Sequence, residues 1–300
     1  MPALLPIGSA PAPGFVPARG LASLIMIGLC VLWSMAGVVA RQVESAQSYE
    51  MAFWRSGVCC ATLFIWLAVT QRKNPMRMVR DMGLSGLYSG ICWCAMFTCF
   101  MLAVKLTTVA NTLLAISLSP LLAAVLARLL LGIRIARVTW LCIGLAAIGM
   151  WWMFRHGLSG DGLLGVLIAL GIPIASSINL IILRKSRERI NMVPAVMLGG
   201  FFSAALMLLV MFPSTATVSD IAWMSFLGVF QLALPCTLLV WLTKYLPPQD
   251  IALLALTEVI FGTLWAWLWG NEAVALATLQ GGLLIIGALV LNAFNRDAAR

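Results

Sequence analysis

Ten apolar stretches, each long enough to cross a bilayer, follow one another in this chain with only short connections between them. They run at roughly 20–40, 49–70, 83–104, 107–131, 138–155, 162–183, 193–212, 221–243, 250–269 and 275–294, and are called α1 to α10 in that order. A hydrocarbon core needs about 20 such residues per helix. The runs are continuous rather than alternating, so helices are expected and barrel strands are not. With 62% hydrophobic residues, 10% charged and a mean hydropathy of +1.03, little sequence remains for a soluble domain. The expected fold is an all-α integral membrane protein of ten transmembrane helices.

The charges suggest an orientation. If the N-terminus is cytoplasmic, Arg19, Arg72, Lys73, Arg77, Arg80, Arg128, Arg134, Arg137, Arg184, Lys185, Arg187, Arg189, Lys244, Arg296 and Arg300 lie inside, which is fifteen of the nineteen Lys and Arg. This bias predicts a bacterial-type inner (plasma) membrane protein with both termini in the cytoplasm. The net charge of +9 therefore belongs to loops, not to a nucleic-acid-binding face. Residues 1–19 are rich in Pro, Ala and Gly and are expected to form a disordered tail, with a second short tail at 295–300. All eight cysteines lie inside apolar runs, and the one histidine, His156, is far from Cys92 and Cys94, so neither a disulfide framework nor a metal site is expected. No cofactor is expected either.

The chain repeats itself. At an offset of 138 residues, Leu118-Ser119-Pro120 matches Leu256-Thr257-Glu258, and Gly132, Gly144 and Gly149 meet Gly270, Gly282 and Gly287. The run from Gly20 through Ser34 to Arg41 matches that from Gly162 through Ser176 to Arg184. Two five-helix units are expected, at 20–155 and 162–294. Because five is odd, the second crosses the membrane in the opposite direction to the first, an arrangement found in secondary transporters.

Leu32-Trp33-Ser34, Phe53-Trp54-Arg55, Leu118-Ser119-Pro120 and Gly270-Asn271-Glu272 together resemble the drug/metabolite transporter superfamily, in particular its ten-helix EamA-domain members. The chain is similar there to exporters of amino acids, including aromatic amino-acid exporters of the YddG type. The resemblance implies a transporter of small metabolites working by alternating access, with a monomer sufficient. Two positions depart from the family pattern: Arg134 stands where an acidic residue is usual, and Glu258 where α9 usually has proline.

Several residues are candidates for a substrate-binding cavity. Glu258 is the acidic residue well inside a helix, and burying a charge there costs about 2.5–3.5 kcal/mol on the insertion scale, so it needs a cavity, a cation or a proton. Arg55 could meet a substrate carboxylate, or it could snorkel to the interface or pair with Glu50. Helix α3 carries Tyr88 and aligns Trp93 with Phe97, while α9 aligns Glu258 with Phe261 and Trp265; with Trp33 these suit an apolar or aromatic substrate. Asn111, Asn179 and Gln231 cannot satisfy themselves on their own helices and are expected to face the interior. Pro120, Pro173 and Pro235 interrupt α4, α6 and α8 and are candidate hinges. Cationic drug efflux is the alternative substrate class. No phosphate-binding loop is present, and a single histidine offers poor material for an enzyme.

Overall fold

The computed structural model describes residues 19–71, 74–131, 137–157, 160–186, 191–246, 248–269 and 276–298. Residues 1–18 of the expected tail and the Gly270-Asn271-Glu272 motif lie outside these residues, and Arg19, expected in that tail, opens the first helix. Ten helical rods form at the expected places: α1 (Arg19–Ser34 and Ala36–Arg41), α2 (Ser48–Gln71), α3 (Gly83–Leu106), α4 (Val109–Ile116 and Ser119–Leu131), α5 (Arg137–Gly157), α6 (Gly160–Ala169 and Gly171–Ser186), α7 (Val193–Leu208), α8 (Val218–Leu242), α9 (Pro248–Leu268) and α10 (Leu276–Ala298). Among the described residues there are no strands. Their outer faces are what a bilayer requires: Leu24, Ile65, Val69, Leu84 and Leu283 are all more than three-fifths exposed. Helix α7 stops at Leu208, short of the expected 212, and α10 continues to Ala298, into the stretch expected to be a tail. A short helix, Pro75–Asp81, was not expected; it opens with Asn74 accepting from the Met76 amide.

Prolines determine where three rods are interrupted. A proline at position i leaves the carbonyl at i−4 without its helical partner. The first segment of α4 ends at Ile116, four residues before Pro120, and that of α6 ends at Ala169, four before Pro173. The Ser119 hydroxyl donates to the freed Ile116 carbonyl at 2.6 Å. In α8 the interruption takes another form: a π-helical stretch, Leu227–Ala233, precedes Pro235 and contains Gln231.

The packing pattern follows the repeat. Helix α5 lies against α10 and α2 against α7, while α1 meets α9 as α6 meets α4, α3 meets α7 as α8 meets α2, and α3 meets α6 as α8 meets α1. Exchanging each helix with the one five places along turns this set of pairs into itself.

The two ends of the bundle are not alike. At the end away from the chain termini, one continuous core joins α1 through Val39 and Val43, α3 through Met101 and Val104, α4 through Val109 and Leu113, α6 through Val166 and Ala169, and α9 through Val259 and Ala266. Side chains at Gly37 and Gly262 would collide with Val109 and Leu113, so glycine is what lets α1 and α9 close onto α4. At the end carrying the termini the core is divided. Met26 and Cys30 of α1 pack with Leu242 and Ile251, whereas Leu63, Leu67, Leu183 and Met192 belong to a separate cluster. The second segment of α4 packs chiefly on α6 there rather than on α9.

Candidate functional site

Between the closed end and the divided end lies a charged centre. Arg55 is 2% exposed at the crossing of α1, α2 and α8. Its Nε donates to the Gln231 Oε1 at 3.1 Å, and one terminal nitrogen donates to the same oxygen. The Gln231 amide in turn reaches the Trp33 carbonyl at 3.4 Å, and the Phe100 ring lies 5.3 Å from the guanidinium carbon. Gln231 leaves α8 from within its π-helical turn. The other terminal nitrogen of Arg55 is buried and has no hydrogen-bond partner. A guanidinium cannot lose its proton in a protein, so this is a fixed positive charge with donors to spare.

Arg55 does not pair with Glu50, contrary to that expectation. The Glu50 carboxylate is occupied by the α7–α8 connection, accepting from the Ser214 hydroxyl and Thr215 amide, each at 2.6 Å, from the Thr215 hydroxyl at 2.9 Å and from the Ala216 amide at 3.2 Å. Asp220 returns the contact, accepting from the Glu44 and Ala46 amides, each at 3.2 Å, while Thr217 and Asp220 form a capping box. Each carboxylate starts its own helix and holds the loop leading into the other. Sequence reasoning singled out neither Thr217 nor Asp220, although their spacing is a capping signal.

Glu258 is half-buried on α9. Among the described residues its carboxylate makes no hydrogen bond or ion pair, although Arg55 is within electrostatic reach. Cys236 is buried nearby, within electrostatic reach of both charges. Cys30 donates to the Leu254 carbonyl at 3.5 Å, one turn before Glu258. Trp265 donates from its indole to the Ser34 hydroxyl at 3.0 Å and is stacked with Phe261 at a centroid distance of 6.2 Å. Trp33, Arg55, Gln231, Glu258, Phe261 and Trp265 are thereby gathered along α1, α2, α8 and α9.

The remaining candidates are placed elsewhere. Trp93 and Phe97 are buried against each other with ring centroids 5.5 Å apart, and the Trp93 indole nitrogen has no partner. Asn179 accepts from the Ser89 hydroxyl at 2.6 Å and ties α6 to α3. Asn111 sits in the first turn of α4, bonded to the Thr107 hydroxyl at 3.1 Å, with its own amide capped by Thr108. Tyr88 is 56% exposed and faces away from the centre. Sequence reasoning missed Phe100 and Cys236, whose roles depend on helix contacts that no short motif records. Two apolar grooves of about 310 and 520 Å³ lie on α4–α5–α6 and α4–α9–α10, and none of their lining residues carries charge.

A membrane-spanning bundle of two like halves around a buried, partly unpaired charge defines a multi-pass membrane transporter. The chain belongs to the EamA-like transporter family, whose pattern it matches twice, at residues 20–155 and 163–294. Members of that family are transporters, not enzymes. No curated protein matches the chain significantly. Twenty-two chains of solved structure do. One of them, a crystal structure described only as that of a protein, aligns with a TM-score of 0.64 over 94% of this chain and all of its own, at 18% identity, a likeness of fold alone.

Proposed function

We propose that this protein is a secondary transporter that exports small metabolites, foremost amino acids including aromatic ones, by alternating access around the Arg55 centre. The observation that carries this reading is the position of that centre: a buried guanidinium with an unused donor, where a continuous core on one side gives way to a divided core on the other. A solute entering from the divided end meets the charge before the closed end. The positive-inside bias puts that end and both termini in the cytoplasm of an inner membrane, which suits uptake from inside and release outside. The units 20–155 and 162–294 act as the two inverted halves, and Pro120, Pro173 and Pro235 as the places where half-helices bend.

Aromatic surfaces at Trp33, Phe261 and Trp265 suit an apolar side chain. Cationic drug efflux is the second reading, favoured by Glu258; the fixed positive charge of Arg55 in the same centre works against a cation. The test is reconstitution in liposomes with a panel of labelled amino acids, with and without a pH gradient, for wild type and Glu258→Gln. Saturable amino-acid efflux supports the reading, and its dependence on the gradient and on Glu258 separates proton coupling from facilitated export. Saturable efflux of cationic dyes with none of any amino acid would replace it with the second reading.

A further inference from the structure

Three of the acidic groups near the core could neutralise Arg55, and two of them are already committed. Glu50 and Asp220 use their oxygens to hold loops at the closed end. Glu258 remains, and it is not in contact with Arg55: each feels the other's charge, yet no ion pair forms between them. Both have unused capacity. Arg55 keeps a buried terminal nitrogen with no partner, while its other donors are fixed on Gln231 and its face on Phe100. Glu258 keeps a half-buried carboxyl with no hydrogen bond among the described residues. Helix α1 touches both neighbourhoods: its Trp33 carbonyl accepts from the Gln231 amide that holds Arg55, and one turn earlier Cys30 donates to the Leu254 carbonyl, in the turn of α9 before Glu258.

Two opposite charges held apart in a low-dielectric interior are each expensive alone, and a ligand carrying both complementary charges satisfies them together. We propose that Arg55 and Glu258 form a split clamp for an α-amino acid zwitterion, with the Arg55 guanidinium taking the carboxylate and the Glu258 carboxylate taking the ammonium group. The inference rests on the amino-acid reading of the preceding subsection and sharpens it. The clamp explains why Gln231 is fixed on Arg55: it holds the guanidinium plane so that one edge stays free, the geometry a carboxylate needs.

The test needs no variant to begin. In liposomes holding wild-type protein, phenylalanine efflux is challenged with phenylalaninamide, which lacks the carboxylate, and 3-phenylpropionate, which lacks the ammonium. Each is expected to compete at least about tenfold more weakly than phenylalanine, because each leaves one buried charge unpaired. Glu258→Gln is then expected to lose its discrimination against 3-phenylpropionate while still rejecting the amide. Arg55→Lys, which keeps the charge but not the fork, is expected to weaken phenylalanine while still preferring zwitterions; size-exclusion profiles of both variants check that they fold. Phenylalanine efflux to which both analogues are equal competitors would overturn the clamp alone. Absence of efflux for every amino acid, with no quenching of the protein's tryptophan fluorescence by phenylalanine, would overturn the clamp and the amino-acid reading together.

Discussion

The two ends of the bundle are built from matching parts and packed differently. At the end away from the termini, the first segment of α4 lies across α1, α9 and α10, with Val109 and Leu113 set against Gly37 and Gly262, and Leu114 beside Gly282, where an added methyl would stand 3.1 Å from it. At the other end the corresponding glycine of the first half, Gly144, has nothing within 4 Å of the place where a side chain would begin, and among the described residues α9 makes no comparable contact with α5. The seams at mid-bundle differ as well. Ser176 and Ser177 of α6 donate to the Ser119 hydroxyl at 3.1 Å and the Ser119 carbonyl at 3.0 Å, whereas the α1–α9 seam is joined by Trp265 to the Ser34 hydroxyl and by Cys30 to the Leu254 carbonyl, with Thr257 bonded to its own helix and the Glu258 carboxylate without a partner among the described residues. The difference teaches that a repeat need not be symmetric in one conformation. One end packs an interface whose counterpart at the other end stands apart among the described residues.

The largest expected effect comes from filling the packed notch. Gly262→Leu forces Leu113 aside and should destabilise the closed arrangement by about 3 kcal/mol, read as a lower thermal midpoint and as greater labelling of cysteines placed at that end. Next is the loop staple. Glu50→Ala strands the Ser214 hydroxyl and the Thr215 and Ala216 amides, at a cost of about 2 kcal/mol, and should loosen the same end, visible as faster proteolysis at 42–47 and 211–217. At mid-bundle, Ser119→Ala removes the hydroxyl bridging Ser176 and the Ile116 carbonyl and should cost about 1 kcal/mol by thermal unfolding. The smallest is Gly144→Ala, within about 0.5 kcal/mol of wild type because the site is open. A large penalty at Gly144 would break the comparison, since it would mean that the open end is packed in the resting protein.

Much of the fold was readable from the sequence because lipid imposes one rule on every segment: an apolar helix long enough to cross. The rods therefore fell within a few residues of expectation, and the three prolines marked real interruptions. The centre was only partly readable. Arg55 and Gln231 could each be singled out as polar groups in an apolar setting, but their bond joins residues 176 apart and depends on the π-helical turn, for which the run around Leu227 to Ala233 carries no signal. The nearby Glu50 was the natural partner by spacing, yet loops that fold back over the helix ends supply better donors than a long guanidinium one turn away. Asn111 and Tyr88 illustrate the same limit: polarity or aromatic character selects candidates, while the packing register decides which of them reach the centre.

The central claim is that the end packed by Leu113 and Gly262 opens and closes during transport. In a variant free of native cysteines, Leu113→Cys with Gly262→Cys should crosslink readily under mild oxidation, stop amino-acid efflux from liposomes and recover it on reduction. Full efflux by the crosslinked protein would contradict the account.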